Sequence, residues 1–180
     1  QLLMQSFATE RVDRGGERML PLGVRILAIL NLAESSGELK LSSSNPVDPP
    51  ILDYGYLKTE FDRKRMRDAV RLSCRIFEHD DFNDIVDERI EPTEEELASD
   101  TALDEYIAKG VTTGHQISGT CKMGSDSDPN AVVDQYGKVH GLARIRIADA
   151  SIMPDVIRAN TNVTTMMIGE RIANFILNGK

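Results

Sequence analysis

The sequence predicts an α+β fold over its 180 residues, and three observations carry that reading. Apolar and polar residues alternate between 22 and 41 as they do in half-buried strands. An apolar pattern of helical period runs through 58–77 and again through 163–177. Clusters of Ser, Pro, Asn and Gly separate these stretches as loops would.

The chain opens Gln1-Leu2-Leu3-Met4, without an initiator Met and without a basic n-region or an apolar h-region, so it is expected to come from the middle of something longer. Residues 1–21 show no clean period of either kind and form an unassigned lead-in or linker. Strands are expected at 24–31 and 38–41, paired as a hairpin about Ser35-Ser36-Gly37. Asn45-Pro46 and Pro49-Pro50 mark 42–50 as a loop, with short extended structure over 51–57. The period then changes: in 58–77, Phe61, Met66, Ala69, Val70, Ser73, Cys74 and Phe77 fall near one face of an amphipathic helix.

Acidic residues dominate 78–104 and read as a solvated face. Within it, Thr93-Glu94-Glu95-Glu96 has capping-box form and opens a short helix. A second short helix over 101–109 is expected to end at Gly110 in the left-handed conformation. Residues 131–133 and 138–140 suit a small hairpin turning at 134–137, and 144–148 reads as a strand with Ile145 and Ile147 on one face. The final helix has Asn160, Thr161 and Asn162 as candidate caps. Its stripe is Val163, Met166, Met167, Ile172, Ala173, Ile176 and Leu177, and Asn178-Gly179 ends it.

Bulk properties exclude several classes. A net charge of -8, with no dense Lys/Arg cluster, argues against nucleic acid as a partner. The longest apolar run, about 24–32, is broken by Arg25 and Asn31 and is too short for a membrane span, so a soluble protein is expected, its compartment unassigned with the cytoplasm favoured. Cys74 and Cys121 lack the spacing of a disulfide framework or zinc site, and the scattered histidines lack metal-ligand spacing. No Gly-x-Ser-x-Gly elbow of a serine hydrolase occurs.

Residues 115–170 read instead like one wall of an active site. His115 lies in a polar, Gly-containing loop, where an imidazole can act as general base. Asp149 ends the predicted strand, the position from which open sheets present ligand contacts, although an Asp there also bonds its own backbone in turns. The last helix starts just after Asn160-Thr161-Asn162, where free N–H groups and the positive dipole end can meet an anion or an electron-rich ring edge. As bare residues, Asn160 and Asn162 read as caps rather than ligands. His140 reads as structural, His79 as a surface residue, and Met166-Met167 as core.

The runs His-Gln-Ile-Ser-Gly-Thr-Cys-Lys-Met-Gly, Ala-Asp-Ala-Ser-Ile-Met-Pro and Asn-Thr-Asn-Val-Thr-Thr-Met-Met-Ile-Gly-Glu resemble the C-terminal signature of the glucose-methanol-choline oxidoreductases. These are flavoenzymes that take a hydride from an alcohol. The resemblance implies an antiparallel-sheet substrate-binding domain with flanking helices over 22–140, carrying the His115 loop. It also implies that 141–180 are the C-terminal strand and helix of an FAD-binding α/β domain.

By the same resemblance His115 accepts the substrate hydroxyl proton, Asn160 hydrogen-bonds the alkoxide, and hydride passes to FAD. Asp149 and Ala150 would run along the FAD diphosphate, and Asn162, Val163 and Thr164 would approach the pyrimidine side of the ring. Many members place two residues between the histidine and Gly-Thr, whereas three separate His115 from Gly119, so a strict count puts Gln116 in the catalytic position. The family's G-x-G-x-x-G dinucleotide motif is absent, so an N-terminal FAD-binding polypeptide, or a cleaved N-terminal half, is the implied partner and a small alcohol the substrate. The alternatives are a non-catalytic binding module of the same fold and a flavin-dependent lyase or decarboxylase.

Overall fold

Strand β1 (Leu2–Gln5) lies antiparallel to β4 (Arg25–Ala28), with Leu2 opposite Ala28 and Gln5 opposite Arg25. The computed structural model describes residues 1–5, 11–12, 18–19 and 23–180. Of the lead-in expected over 1–21, residues 6–10, 13–17 and 20–21 lie outside the described set, as does Leu22. Two short strands within that stretch, β2 (Arg11–Val12) and β3 (Arg18–Met19), pair antiparallel.

The β1–β4 pairing corrects the hairpin expected between 24–31 and 38–41. Beyond β4 the chain is redirected at Leu32, which adopts φ 51° and donates its N–H to the Ile157 carbonyl at 3.3 Å, so Ser35-Ser36-Gly37 never closes a tight turn. Strand β5 (Glu38–Lys40) pairs instead with β6 (Ile51–Asp53), Leu39 facing Leu52. The loop between them is closed by Ser43 Oγ donating to Asp48 at 2.6 Å and Ser42 Oγ donating to the Pro49 carbonyl at 2.8 Å.

The chain divides into two compact units, Gln1–Leu30 with Leu57–Val111, and Asn31–Tyr56 with Thr112–Lys180. In the first, helix α1 (Glu60–Phe77) begins at Thr59, whose hydroxyl accepts the Asp62 N–H at 3.2 Å. Its expected apolar stripe is only partly buried: Cys74 is buried, Phe61 is half exposed, and Asp62 and Arg67 are buried in their place. Arg67 explains the exchange. Its Nη1 donates to both oxygens of Asp104, its Nη2 reaches Glu60 at 2.5 Å, and its Nε lies 3.4 Å from Asp100.

The hydrogen bonds to Glu60 and then Asp104 push the Arg67 guanidinium further above its already high value. Arg67, followed by Arg63, holds the Glu60 carboxyl below the usual range, and Arg71 does the same for Asp100. Arg67 thereby ties α1 to α3 (Asp100–Gly110), with Leu103 and Ile107 buried beside it.

Helix α2 (Glu94–Leu97) carries the capping box read from the sequence, with Thr93 and Glu96 bonded reciprocally. Helix α3 departs from its expected end. Gly110 is its last helical residue and is not left-handed. Val111 stops the helix in extended conformation, as a β-branched residue favours, while its N–H still reaches the Ile107 carbonyl.

The second unit is organised around Val133, Ile152, Met153, Ile168, Ile172 and Phe175, with Tyr136 set edge-on against Phe175. The small hairpin is present only as one antiparallel bridge, Val133 to Val139, and Val133 also bridges Met123 in parallel. Its turn forms as expected: Asp134 Oδ1 accepts the N–H groups of Tyr136 and Lys138. Gly137 sits there at φ 72°, and a Cβ on it would come within 2.7 Å of the Ile147 carbonyl and 2.8 Å of Ile172 Cδ1.

The strand expected over 144–148 does not form. Arg144 at φ 64° breaks the extended run, leaving one bridge between Lys138 and Arg146. Arg146 is fixed instead by donating to the Tyr136 and Lys180 carbonyls.

Helix α4 (Asn162–Leu177) has its expected span but turns a different face inward. Ile168, Ile172 and Phe175, spaced i, i+4 and i+7, enter the core. Val163, Met166, Met167, Ile176 and Leu177 are all more than half exposed. Only Ile172 of the predicted stripe is buried, and the reading of Met166-Met167 as core is corrected. The helix is apolar nearly all round, so its period alone does not select the face that meets the core.

Candidate active site

Residues 119–123 run beside 150–152, with the N–H groups of Gly119, Cys121 and Met123 donating to the carbonyls of Ala150, Ser151 and Ile152 at 3.3, 2.9 and 2.9 Å. Ile152 and Met153 are buried, so this ladder anchors the loop containing His115 to the core of its unit. The same ladder continues through Val132 and Gly124, which bond Lys122 and Val133. The apolar residues of 131–153 thus hold the polar loop in place.

Asp149 precedes the 310 turn Ala150–Ile152 and caps it, its Oδ1 accepting the Ser151 N–H at 2.8 Å and the Ser151 hydroxyl at 2.5 Å. The turn-forming role is therefore realised, and it shapes the backbone against which the His115 loop packs.

His115 lies at φ 61°, in the left-handed region that costs a residue with a Cβ roughly 1–2 kcal/mol. Its N–H donates to Thr113 Oγ1 at 3.0 Å, and its side chain faces solvent. The next residue makes the long-range contact. Gln116 is half-buried, and its Oε1 accepts both the N–H of Thr161 at 2.7 Å and the Thr161 hydroxyl at 2.9 Å, while its Nε2 donates to the Gly114 carbonyl at 3.1 Å.

Thr161 occupies the N-cap position of α4 but makes no side-chain cap, and neither neighbouring Asn replaces it. Its carbonyl instead accepts from the N–H and hydroxyl of Thr165. Asn160, Asn162 and Val163 are exposed and Thr164 is half-buried. The first N–H groups of a helix have no intrahelical partner, so α4 presents uncapped donors and its positive dipole end beside the His115 loop.

The structure therefore joins the His115 loop to the start of α4 through Gln116 and Thr161, neither of which sequence reasoning selected as a contact pair. The residue count before Gly119 was the one available signal for Gln116. One more feature was missed: Ser118 Oγ is buried with no hydrogen-bond partner, directly between Gln116 and the Gly119 ladder.

His140 is held structurally, as expected, with Nε2 3.1 Å from the Gly124 carbonyl and Nδ1 2.5 Å from Asp126. Lys122 pairs with Asp128 at 2.9 Å, and that contact, helped by the Asn130 N–H, holds the Asp128 carboxyl below the usual range. Both cysteines are free, Cys74 buried and Cys121 half-buried. Among the described residues no His, Cys, Asp and Glu group could hold a metal ion, and no helix is long and apolar enough to cross a membrane.

A mixed helix-and-sheet scaffold holds the polar loop, the capped turn and the open helix start in one unit with one apolar core. The chain belongs to the GMC oxidoreductase family, whose model matches residues 33–169. It is 36% identical over 147 residues to the oxygen-dependent choline dehydrogenase of Vibrio vulnificus, covering 82% of this chain and 26% of that protein. The mitochondrial choline dehydrogenase of Mus musculus is 41% identical over 144 residues, 80% of this chain and 24% of its own length.

Among solved structures, pyridoxine 4-oxidase from Mesorbium loti superimposes with a TM-score of 0.68 at 33% identity, covering 77% of this chain and 26% of that one. A formate oxidase from Aspergillus oryzae, studied for its FAD modification, gives 0.71 at 29% identity over 78% of this chain and 24% of that one. The chain thus spans about a quarter of the length of the curated relatives it matches.

Proposed function

We propose that this chain is the C-terminal part of an FAD-dependent oxidoreductase that oxidises an alcohol CH–OH group, with His115 as general base and Asn160 as hydrogen-bond partner of the developing alkoxide. Residues 22–140 would be most of its substrate-binding domain, and 141–180 the last piece of its FAD-binding domain. Family membership supports the redox class. The observation that carries the reading further is the uncapped start of α4, flanked by the exposed Asn160 and Asn162 and tied to the residue after His115.

These residues fit one edge of a flavin. The free N–H groups of Asn162, Val163 and Thr164 suit an electron-rich ring edge that gains negative charge on reduction. Ser118 adds an unpaired buried hydroxyl near the same loop. Asp149 and Ala150 would follow the diphosphate. Asp149 would act there by ordering the 150–152 backbone through Ser151, since a carboxylate repels a phosphate.

When bound, FAD supplies the hydride acceptor, and this chain's residues manage the proton. The imidazole of His115 takes it from the substrate hydroxyl, and the Asn160 amide donates to the oxygen as charge develops there. The Gly-rich dinucleotide motif does not occur in this sequence, so an N-terminal FAD-binding portion would be its partner and supply the rest of the diphosphate site. That portion would also cover the exposed face of α4.

The similar proteins are named for choline, pyridoxine and formate, so likeness does not select a substrate. The test is anaerobic bleaching of the flavin absorbance in the full-length protein, across a panel of alcohols that includes choline and pyridoxine. At least one alcohol should bleach it, and His115→Ala should slow the bleaching by about 10²–10⁴-fold, the worth of a positioned base. Bound flavin that no alcohol reduces would leave the lyase or decarboxylase reading, and a colourless full-length protein would leave the binding module.

A further inference from the structure

Gln116 and Thr161 are 45 positions apart in sequence, and each directly abuts one of the residues proposed to meet substrate, His115 on one loop and Asn160 on the other. Their contact has only one chemically consistent orientation. A backbone N–H can only donate, so the amide atom facing Thr161 N must be oxygen. The Gln116 NH2 then necessarily faces the Gly114 carbonyl, which can only accept.

A capping threonine ordinarily sits in extended backbone and turns its hydroxyl oxygen onto the helix's second or third N–H; Thr161 instead has helical backbone, makes no side-chain cap, and directs its hydroxyl proton to Gln116. Core packing does not require the arrangement, because Gln116 is outside the apolar cluster.

We propose that Gln116 is a positioning residue, whose amide oxygen clasps the start of α4 and sets the spacing between His115 and Asn160. The inference rests on the oxidoreductase reading for its catalytic consequence, but the clasp itself is testable without it. Gln116 neither gains nor loses a proton in this role. It fixes where two groups from different loops meet, and small misplacements of such groups are costly in rate.

The test uses the full-length, FAD-loaded protein with Gln116→Leu, Gln116→Glu and Thr161→Val. Hydrogen exchange at the Thr161 amide, read by NMR with 15N-threonine labelling, should rise by roughly 2–10-fold in Gln116→Leu, the loss of one net hydrogen bond, while the Thr164 and Thr165 amides change little. Gln116→Glu keeps the acceptor toward Thr161 but loses the donor to the Gly114 carbonyl, and should restore part of that protection.

With an alcohol that bleaches the flavin, Gln116→Leu should lower kcat by about 10²-fold, with KM changed far less and the pH profile of kcat/KM unmoved. Thr161→Val removes only the hydroxyl and should fall between wild type and Gln116→Leu. Unchanged Thr161 exchange in Gln116→Leu would overturn the clasp. So would a new ionisation in the pH profile of Gln116→Glu, combined with an inert His115→Ala, since Gln116 would then itself stand in the place of the base. If no alcohol reduces the flavin, the functional reading fails while the exchange measurement still decides the clasp. If turnover is normal in Gln116→Leu, the clasp has no catalytic role and the functional reading survives.

Discussion

Gly137 and Gly141 offer an internal control, because both are left-handed, at φ 72° and 74°, yet only one is crowded. A Cβ on Gly141 meets nothing within 4 Å, whereas on Gly137 it meets the Ile147 carbonyl oxygen at 2.7 Å and Ile172 Cδ1 at 2.8 Å. Alanine at 141 should therefore cost about 1–2 kcal/mol of left-handed strain, reduced by roughly 0.4–1 kcal/mol because the unfolded chain loses freedom. Alanine at 137 carries the same terms plus about 1–3 kcal/mol of overpacking. Ile172 can shift, but the Ile147 carbonyl cannot move far, because its own N–H is bonded to the Gly137 carbonyl at 2.9 Å. Gly137→Ala should thus lose about 1–3 kcal/mol more than Gly141→Ala in urea unfolding, with m-values unchanged. Equal losses would refute the close approach of the 134–137 turn to Ile147 and α4, and with it the account of how the core supports the candidate site.

Two further outcomes follow from the same geometry. Arg67 lowers the Glu60 carboxyl pKa and, behind Arg71, that of Asp100; depressed folded-state values mean stability present at neutral pH and lost as pH falls below about 4 through those values. Arg67→Met should flatten that acid dependence between about pH 5 and 2, measured by urea midpoints across the range, and an unaltered slope would show that the Arg67 cluster does not couple to folding. The outer face of α4 should behave as unpartnered apolar surface: the 180-residue chain alone should bind the dye ANS, and Met166→Lys with Ile176→Glu should cut that fluorescence by roughly half while leaving the Ile172 core intact. Unchanged dye binding would place the exposed apolar area elsewhere.

Local signals were legible where one short stretch carries its own physics. The capping box at Thr93 and Glu96, the span of α1 and the Asp134 turn each depend on residues within a few positions, and each formed as read. What failed was choice among distant options. An alternating strand advertises that it can pair, not with whom, so β4 took β1 rather than β5. Arg67 occupies a place in α1 where an apolar period suggests none, because three carboxylates outside that period pay its desolvation. Arg144 interrupted an apparently regular strand pattern through backbone conformation alone.

The candidate site shows the same division. Residues 115 and 160 were singled out as catalytic and 149, 150 and 162–164 as cofactor contacts, and 115–124, 149–153 and the start of α4 lie in one unit with a shared core. The pairing of Gln116 with Thr161 was invisible because it couples two side chains through donor and acceptor roles, and no periodicity encodes that. The inward face of α4 was misread for a related reason. A helix with apolar residues nearly all round has two faces to bury, and Ile168, Ile172 and Phe175 satisfy only one of them within this chain. Under the proposed function, the exposed stripe through Val163, Met166, Ile176 and Leu177 is the face that the N-terminal FAD-binding portion would cover. On that proposal the uncapped start of α4 and its exposed side would act as one feature, the N-terminal donors opening where a flavin edge and His115 would meet.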